Sequence, residues 1–175
     1  MMKRESIIRN AVLNKRVLDV GCVGQARGTL QHIIRQSCSY YVGTDIQSAP
    51  NVIRANIEYH SDKIMFHAPY DVIILGDLIE HLSNPGRALE MLRMYSHSNT
   101  ILLLTTPNAK WPTVFLKPNP EHTCWHDRHT ITELLKRSGW VVDSVRYYPG
   151  NKPSYGLLWP FVCRQGLIVS ASVRV

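Results

Sequence analysis

The sequence predicts an α/β fold in which a mainly parallel sheet is covered by helices on both faces. Short apolar runs that end in glycine or proline alternate with segments whose apolar residues recur at helical spacing. That alternation is typical of strands joined by crossover helices. The 175 residues, 45% of them hydrophobic and 19% charged, are enough for one substantial core. We therefore expect a single domain over residues 1–175.

Seven segments have the pattern of strands. Buried parallel strands are continuous apolar runs, and the clearest such run is "YDVIILG" at Tyr70–Gly76. Before it lie "KRVLDV", "YYVGTDI" and "NVIRANI", at Lys15–Val20, Tyr40–Ile46 and Asn51–Ile57. After it come "NTILLLTTPN", which Pro107 ends, and then "WVVDSVRYY" and "GLIVSASVRV".

Four segments have helical periodicity, and they alternate with the strands. The first two are "SIIRNAVL", ahead of the first strand, and "GTLQHIIRQ" after it. The third, "NPGRALEMLRMYS", has Asn84 as a candidate N-cap and Pro85 at its first helical position. The fourth, "TITELLKRSGW", ends at Gly139. The connections at Gln47–Pro50 and Glu58–Pro69 are too short for long helices, so we expect trimmed cover near the third strand.

Composition limits the class of protein and its partners. Twenty Lys and Arg against 13 Asp and Glu give a net charge of +7, which permits a nucleic-acid partner, although the basic residues are scattered. The four cysteines form no CxxC pair, which argues against a zinc knuckle and favours a reducing compartment. No apolar run approaches the roughly 18–20 residues that span a bilayer, so we expect a cytoplasmic protein. The apolar segment Tyr155–Val162 is a candidate lid, core or homodimer contact.

The turn "VLDVGCVGQARG" after the first strand is a candidate ligand site. Its glycines, Gly21, Gly24 and Gly28, do not have the spacing of a pyrophosphate-binding turn, and Asp19 would repel phosphates. A dinucleotide-dependent reductase is therefore disfavoured. Asp45 ends the second strand, where a ribose diol is bound in such folds. An acid before the turn and an acid at the ribose point to a cationic nucleoside without phosphates, and S-adenosylmethionine is such a ligand.

Five segments in this order resemble the class I S-adenosylmethionine-dependent methyltransferases. They are "VLDVGCVGQ", "VGTDI", "NVIRANIE", "YDVIILGDLIEHLSNPGRALEML" and "ILLLTTPN". The nearest subgroup is the small type with "EHL" after the fourth strand and "PN" after the fifth. The resemblance implies a doubly wound, Rossmann-like, mainly parallel sheet of seven strands. It also implies that the last strand, Gly166–Val175, lies antiparallel beside the fifth.

The resemblance further implies which residues hold S-adenosylmethionine. Asp19 and Gly21 would cradle the methionine moiety, Asp45 would bind the ribose hydroxyls, and Asn56 would accept a hydrogen bond from the adenine amino group. The other expected cofactor contacts are Cys22, Val23, Gly24, Ile46, Ile57, Gly76, Asp77 and Leu78.

Methyl transfer to oxygen or nitrogen requires an aligned acceptor and often the removal of a proton. Glu80 and His81 follow the fourth strand, and His122, His126 and His129 follow the fifth. We expect Glu80, His81 and His122 to carry the catalytic roles without a metal ion. The expected acceptor is a small molecule that resembles a sugar or a lipid-linked intermediate.

Two other functions fit the same residues. Asp77, Glu80 and His81 have i, i+3, i+4 spacing, which would place them on one helical face. Together with His122 or His126 they could hold a divalent ion. This set is similar to the metal motif of methyltransferases that modify the terminal 2′-hydroxyl of small RNAs. The second alternative is a non-catalytic partner protein that binds S-adenosylmethionine, because the turn is altered and few helices cover the sheet.

Overall fold

The computed structural model describes residues 4–24, 29–148 and 165–173. Its strands form one seven-stranded sheet in the order β3-β2-β1-β4-β5-β7-β6. Strands β1 to β5 are parallel, and β7 is antiparallel to both β5 and β6. The predicted fold class is therefore confirmed. The strands are β1 Arg16–Val20, β2 Tyr40–Asp45, β3 Val52–Arg54, β4 Tyr70–Gly76, β5 Ser96–Pro107, β6 Val141–Tyr148 and β7 Gly166–Ser172.

The described residues include the four predicted helices and two short ones. The helices are α1 Arg4–Val12, α2 Thr29–Ser37, α3 Asp62–Met65, α4 Pro85–Met94, α5 Pro112–Leu116 and α6 Arg128–Arg137, and a 3-10 turn covers Ile79–His81. The connection between β3 and β4 carries only the four-residue α3. The helical cover near β3 is therefore trimmed, as predicted.

The central strand β4 is buried on both faces, which explains its continuous apolar sequence. Ile73 and Leu75 belong to the core on the side of α4 and α6. Val72 and Ile74 belong to the core on the side of α1 and α2. Each such side chain contributes about 1.5–3 kcal/mol through the surface it removes from water. This two-sided packing fixes the strand that leads directly into the candidate site.

Strand β3 is shorter than the predicted segment Asn51–Ile57. Pairing with β2 ends at Arg54, which lies opposite Asp45. The chain then turns, because the Asn56 side-chain oxygen accepts a hydrogen bond from the amide of Glu58 at 2.9 Å. An asparagine side chain that bonds to the backbone two residues on competes with strand pairing. The apolar alternation in this segment therefore overestimates the length of the strand.

Two side chains accept hydrogen bonds from backbone amides at the N-terminus of α4. The Asn84 oxygen accepts from the amide of Arg87 at 3.0 Å, and Pro85 is the first helical residue. The backbone amide of Asn84 donates to the Glu58 carboxylate at 2.8 Å. These bonds set the direction in which the chain leaves the 3-10 turn at Ile79–His81.

Replacing Asn84 with Ala should lower the free energy of unfolding by about 1 kcal/mol, because one amide in the first turn of α4 loses its acceptor. Urea denaturation measures this change. Asn84→Ser is the matched control, since serine caps helices well, and it should retain most of the stability. Equal losses for Ala and Ser would contradict a capping role.

Candidate functional site

The turn after β1 is tied to β2 and covered by a residue that follows β4. Gly21 and Gly24 have positive φ angles of 69° and 76°, which favour glycine. The Gly21 amide donates to the Thr44 carbonyl at 2.8 Å. A Cβ on Gly21 would lie 2.7 Å from a methyl carbon of Leu78, so that side chain would have to shift to accommodate a larger residue. The turn therefore lies at the carboxyl edge of the sheet, in close contact with the end of β4.

Asp19 lies beneath this turn rather than on its surface. The residue is fully buried, and the Tyr41 hydroxyl donates to its carboxylate at 3.0 Å. Gly43 lies opposite Asp19 on β2, and a Cβ there would be 2.8 Å from both the Cys22 sulfur and the Tyr41 hydroxyl. Burial and, secondarily, the Asp19 charge raise the pKa of Cys22 to about 11. The Asp19 carboxylate on β1 is thus bonded to a side chain of β2 in the protein interior.

Asp45 connects the glycine turn to the end of β2. One carboxylate oxygen accepts from the Val23 amide at 2.9 Å, and the other accepts from the Gln47 amide at 2.9 Å. The next residue, Ile46, is 64% exposed and presents an apolar side chain to solvent at the same edge. This edge therefore combines a positioned carboxylate with an open apolar surface.

The expected adenine contacts after β3 differ in their environments. Asn56 is exposed, but its side-chain oxygen already accepts the local bond from Glu58. Ile57 is buried in the core and presents almost no surface. Gly76 is the buried last residue of β4. Ile46 is thus the open apolar residue among the predicted contacts at this end of the site.

Asp77 follows β4 in a left-handed conformation with φ of 49°. The hydroxyls of Thr105 and Tyr148 donate to one carboxylate oxygen at 2.9 and 3.2 Å. The guanidinium of Arg4 forms an ion pair with the other oxygen. Burial lowers the pKa of Arg4, but the Asp77 charge, the nearby Tyr148 and the hydrogen bonds to both residues together raise it. Asp77 therefore joins α1 to the ends of β4, β5 and β6.

The predicted common helical face of Asp77, Glu80 and His81 is wrong. The 3-10 turn includes only Ile79–His81, and the conformation of Asp77 directs its carboxylate to Arg4 instead. Within the described part of the chain, one group of three potential ligands has its atoms within 4.8 Å of one another, namely Glu80, His81 and His122. This cluster contains the three residues predicted to be catalytic.

The loop after β5 is fastened to the 3-10 turn by hydrogen bonds to the backbone. The Thr123 amide donates to the Glu80 carbonyl at 2.8 Å, and His81 Nδ1 lies 3.1 Å from the Glu121 carbonyl. Because a carbonyl only accepts, the proton of this hydrogen bond is assigned to His81 Nδ1. The bonds place the His122 ring edge-on to His81, with centroids 4.7 Å apart.

Electrostatics set the protonation of the cluster at neutral pH. Glu80 is 2% exposed, and its Oε2 has no hydrogen-bond partner among the described residues. Burial, followed by the Asp77 charge, raises the pKa of Glu80 to about 8. Burial and His81 lower the pKa of His122 below its usual 6.5. Near pH 7 the cluster therefore offers a neutral carboxylic acid as a donor and a neutral imidazole as an acceptor.

Several residues around the cluster were not predicted. Arg4, Thr105 and Tyr148 surround Asp77, and no signal in the sequence connects Arg4 to a partner 73 positions away. Thr105 had a signal, since it lies in "TTPN" where β5 reaches the same edge. His126 is buried against Cys124, with 3.3 Å between its Nε2 and the sulfur, and lies outside the cluster.

A comparison with protein families decides the class of the chain. A family described as "Methyltransferase domain" matches residues 4–145. The chain belongs to this methyltransferase family. The matched range includes the glycine turn, Asp45, Asp77 and the Glu80, His81 and His122 cluster. Membership confirms the predicted enzyme class, with S-adenosylmethionine as the cosubstrate.

Solved structures share the fold at low sequence identity. An S-adenosylmethionine-dependent methyltransferase of Archaeoglobus fulgidus is 15% identical, with a TM-score of 0.69 over 96% of this chain and 92% of that one. The 1,6-didemethyltoxoflavin-N1-methyltransferase of Burkholderia thailandensis is 12% identical, with a TM-score of 0.70 over 98% and 76%. The N-methyltransferase NodS of Bradyrhizobium japonicum is 11% identical, with a TM-score of 0.68 over 98% and 95%. No curated protein matches the sequence significantly.

Among the residues that the structure describes, no helix of this methyltransferase is long and apolar enough to cross a bilayer. The segment Tyr155–Val162, predicted as a lid, core or dimer contact, lies outside the described residues.

Replacing Glu80 with Gln should remove a pH-dependent loss of stability. The folded state holds the Glu80 proton up to about pH 8, whereas the unfolded chain releases it near 4.5. The folded state therefore binds more protons in this window, and wild-type stability falls as pH rises from 4.5 to about 8. Above that window, Glu80→Gln should be more stable than wild type by on the order of a few kcal/mol.

Urea denaturation across this pH range measures the difference. Glu90→Gln is the matched control, because Glu90 is exposed on α4 and its replacement should leave the wild-type pH profile in place. Parallel profiles for wild type and Glu80→Gln would show that Glu80 is not held protonated by its burial.

Proposed function

We propose that this methyltransferase transfers a methyl group to an oxygen or nitrogen atom of a small-molecule acceptor. The observation that carries the proposal is the cluster of Glu80, His81 and His122 at the carboxyl edge of the sheet, beside the glycine turn. Ligands of open α/β sheets bind at that edge, where the strand order reverses between β1 and β4. A donor and an acceptor of protons therefore lie next to the expected cofactor site.

The residues at this edge fit S-adenosylmethionine. Asp45 offers a carboxylate to the ribose hydroxyls while it keeps its two backbone amides, since each carboxylate oxygen accepts more than one hydrogen bond. Ile46 offers its exposed side chain to the adenine ring. Gly21 lets the backbone approach the ligand closely, with Val23 and Gly24 extending the turn. S-adenosylmethionine supplies the electrophilic methyl group.

The cluster can handle the proton of the acceptor. Near pH 7 the Glu80 carboxylic acid donates a hydrogen bond to an oxygen of the acceptor and so orients the group to be methylated. The acceptor's lone pair forms the bond to the methyl carbon, and the carbon–sulfur bond breaks with its electrons on sulfur. The acceptor's proton passes to neutral His122, which returns it to solvent. His81 holds His122 in place through the contact between their rings.

A small acceptor is supported by relatives of the same fold. The Burkholderia enzyme is named for methylation at N1 of 1,6-didemethyltoxoflavin, which its structure contains, and NodS is named an N-methyltransferase. In this chain the loop bonded to the 3-10 turn brings His122 directly onto the cluster.

Activity should depend on pH in both directions. Methyl transfer should rise as His122 loses its proton below its ordinary 6.5, and it should fall above about 8 as Glu80 ionises. His122→Asn should lower kcat/KM by about 10²-fold or more, as expected for loss of a general base. Glu80→Gln should retain activity at neutral pH and lose the alkaline decline.

Transfer of labelled methyl groups to the low-molecular-mass fraction of a cell extract, and then to the purified acceptor, measures these effects. His129→Asn is the matched control, because His129 is exposed on α6 and its loss should leave the pH profile intact. An unchanged rate with His122→Asn would rule out His122 as the base. Label found in protein or nucleic acid alone would rule out a small-molecule acceptor.

The second candidate is a metal-assisted RNA-terminal 2′-O-methyltransferase. One specific observation favours it, namely that ligand atoms of Glu80, His81 and His122 lie within 4.8 Å of one another. A carboxylate with two imidazoles is a donor set for a divalent transition metal. Glu80 would have to give up its proton, so metal binding would be weak at low pH and would release a proton.

Removal of divalent ions with a chelator distinguishes the two candidate functions. For the small-molecule reaction, EDTA should leave turnover unchanged, and titration with Mn²⁺ should show no proton release. For the RNA reaction, EDTA should abolish turnover, Mn²⁺ should restore it, and the label should appear at RNA 3′ ends. RNA binding would then weaken steeply with salt through counterion release. That combined result would replace the first candidate by the second.

A further inference from the structure

Three buried polar atoms near the catalytic cluster have no hydrogen-bond partner in the part of the chain that the structure describes. They are Glu80 Oε2, Thr106 Oγ1 and His126 Nδ1. Their residues are 2%, 0% and 7% exposed, so solvent does not reach these atoms. Buried polar atoms are nearly always hydrogen-bonded, because an unpaired one has lost its bond to water without a replacement. Three of them at the carboxyl edge of the sheet therefore require a physical explanation.

The segments that carry these atoms meet at the end of β5. Burial raises the pKa of Glu80, and the Thr106 hydroxyl lies close enough to oppose that rise, although no hydrogen bond of ordinary geometry joins them. Asn108 forms a parallel bridge with His126, and the Ala109 amide donates to the His126 carbonyl at 2.8 Å. Side chains two positions apart in an extended chain lie on the same side, as do bridge partners. Thr106 and His126 therefore face one polar recess, which Glu80 borders.

A chain of hydrogen bonds assigns the proton of the His126 ring. Cys124 Sγ lies 3.4 Å from the Ile79 carbonyl, which only accepts, so the thiol donates its one proton there. His126 Nε2 lies 3.3 Å from the same sulfur and therefore donates to it. Burial lowers the pKa of His126 and so favours the neutral ring. Nδ1 is then a lone-pair acceptor that needs a donor.

The hydrogen-bonding needs of the three atoms match one water molecule. His126 Nδ1 only accepts, the Thr106 hydroxyl is able to donate, and Glu80 Oε2 accepts when the carboxyl proton is on the other oxygen. Water has two protons, for Nδ1 and Oε2, and a lone pair for the hydroxyl. Buried waters typically make about three such bonds to polar groups that lack protein partners.

We propose that Glu80, Thr106 and His126 bind one internal water molecule that positions the Glu80 carboxyl for catalysis. The water donates to His126 Nδ1 and Glu80 Oε2 and accepts from the Thr106 hydroxyl. Because Oε2 accepts, the carboxyl proton is on Oε1, which is the oxygen that donates to the methyl acceptor. Thr106 and His126 are thus positioning residues. This catalytic role rests on the proposed function, whereas the water site itself does not.

Thr106→Val tests the water site on the free protein, because valine has a similar shape and no hydroxyl. With the water bound, the substitution should raise the equilibrium constant for unfolding about fivefold or more, since an internal hydrogen bond is lost. Without the water, removal of an unpaired hydroxyl should leave that constant unchanged or lower it. Urea denaturation measures the constant. Thr132→Val is the matched control, because the Thr132 hydroxyl bonds within its own helix to the Arg128 carbonyl, and the change should be about twofold or less.

The ring nitrogens of His126 report the same water. In wild type, Nδ1 should lack a proton and Nε2 should carry one, which long-range nitrogen–proton NMR distinguishes. Thr106→Val should shift the Nδ1 resonance, and Thr106→Ser, which keeps the hydroxyl, should restore it. The exposed His129 should keep its resonances in every variant. A crystal structure of the full chain should show a single water within hydrogen-bonding distance of all three atoms.

Methyl transfer to the purified acceptor tests the positioning role. Thr106→Val should lower kcat about tenfold and leave KM for the acceptor nearly unchanged, because the Glu80 carboxyl remains in the site but loses its fixed direction. Thr106→Ser should restore kcat. Equal kcat values for wild type and Thr106→Val would overturn the positioning role.

The outcomes also separate this inference from the proposed function. A crystal structure with no water at the three atoms, a proton on His126 Nδ1, or Thr106→Val at least as stable as wild type would overturn the inference and leave the proposed function in place. If Thr106→Val does not fold, the wild-type crystal structure and Thr106→Ser decide. No methyl transfer by wild type to any small molecule would overturn the proposed function, and the stability and NMR measurements would still decide the water site.

Discussion

The parallel pairing of β1 with β4 is the constraint on which the site depends. These strands are neighbours in the sheet although 49 residues separate Val20 from Tyr70, and the strand order reverses between them. The reversal leaves a crevice at their carboxyl ends, because the connections leave the sheet on opposite sides. The glycine turn and the 3-10 turn border this crevice. Packing on both faces of β4 holds the pairing in place.

Glu80 illustrates how the fold accommodates a buried carboxyl group within the proposed catalytic cluster. A buried carboxyl with one oxygen that has no hydrogen-bond partner among the described residues is costly when charged, and its cost is smallest when it stays neutral. The loop after β5 is bonded to the Glu80 carbonyl, and the Glu80 side chain is 2% exposed. Burial, followed by the Asp77 charge, raises the pKa of Glu80 to about 8.

Sequence patterns predicted the elements whose signals are local. The strand Tyr70–Gly76 has the predicted bounds, and the cap at Asn84 is confirmed, because apolar runs and capping residues act over a few positions. The spacing of Asp77 and Glu80 predicted a shared helical face. That prediction is wrong, because Asp77 has a left-handed backbone conformation that interrupts helical periodicity. The Arg4 contact could not be predicted at all, because a side-chain pair 73 positions apart depends on how α1 packs across the finished sheet.

The buried Cys22 gives the glycine turn a chemical property that its size alone does not suggest. Thiol reactions proceed through the thiolate, and a pKa of about 11 leaves very little thiolate at neutral pH. Burial of the sulfur and the scarcity of thiolate both slow the reaction of this cysteine with oxidants and alkylating reagents in the folded protein.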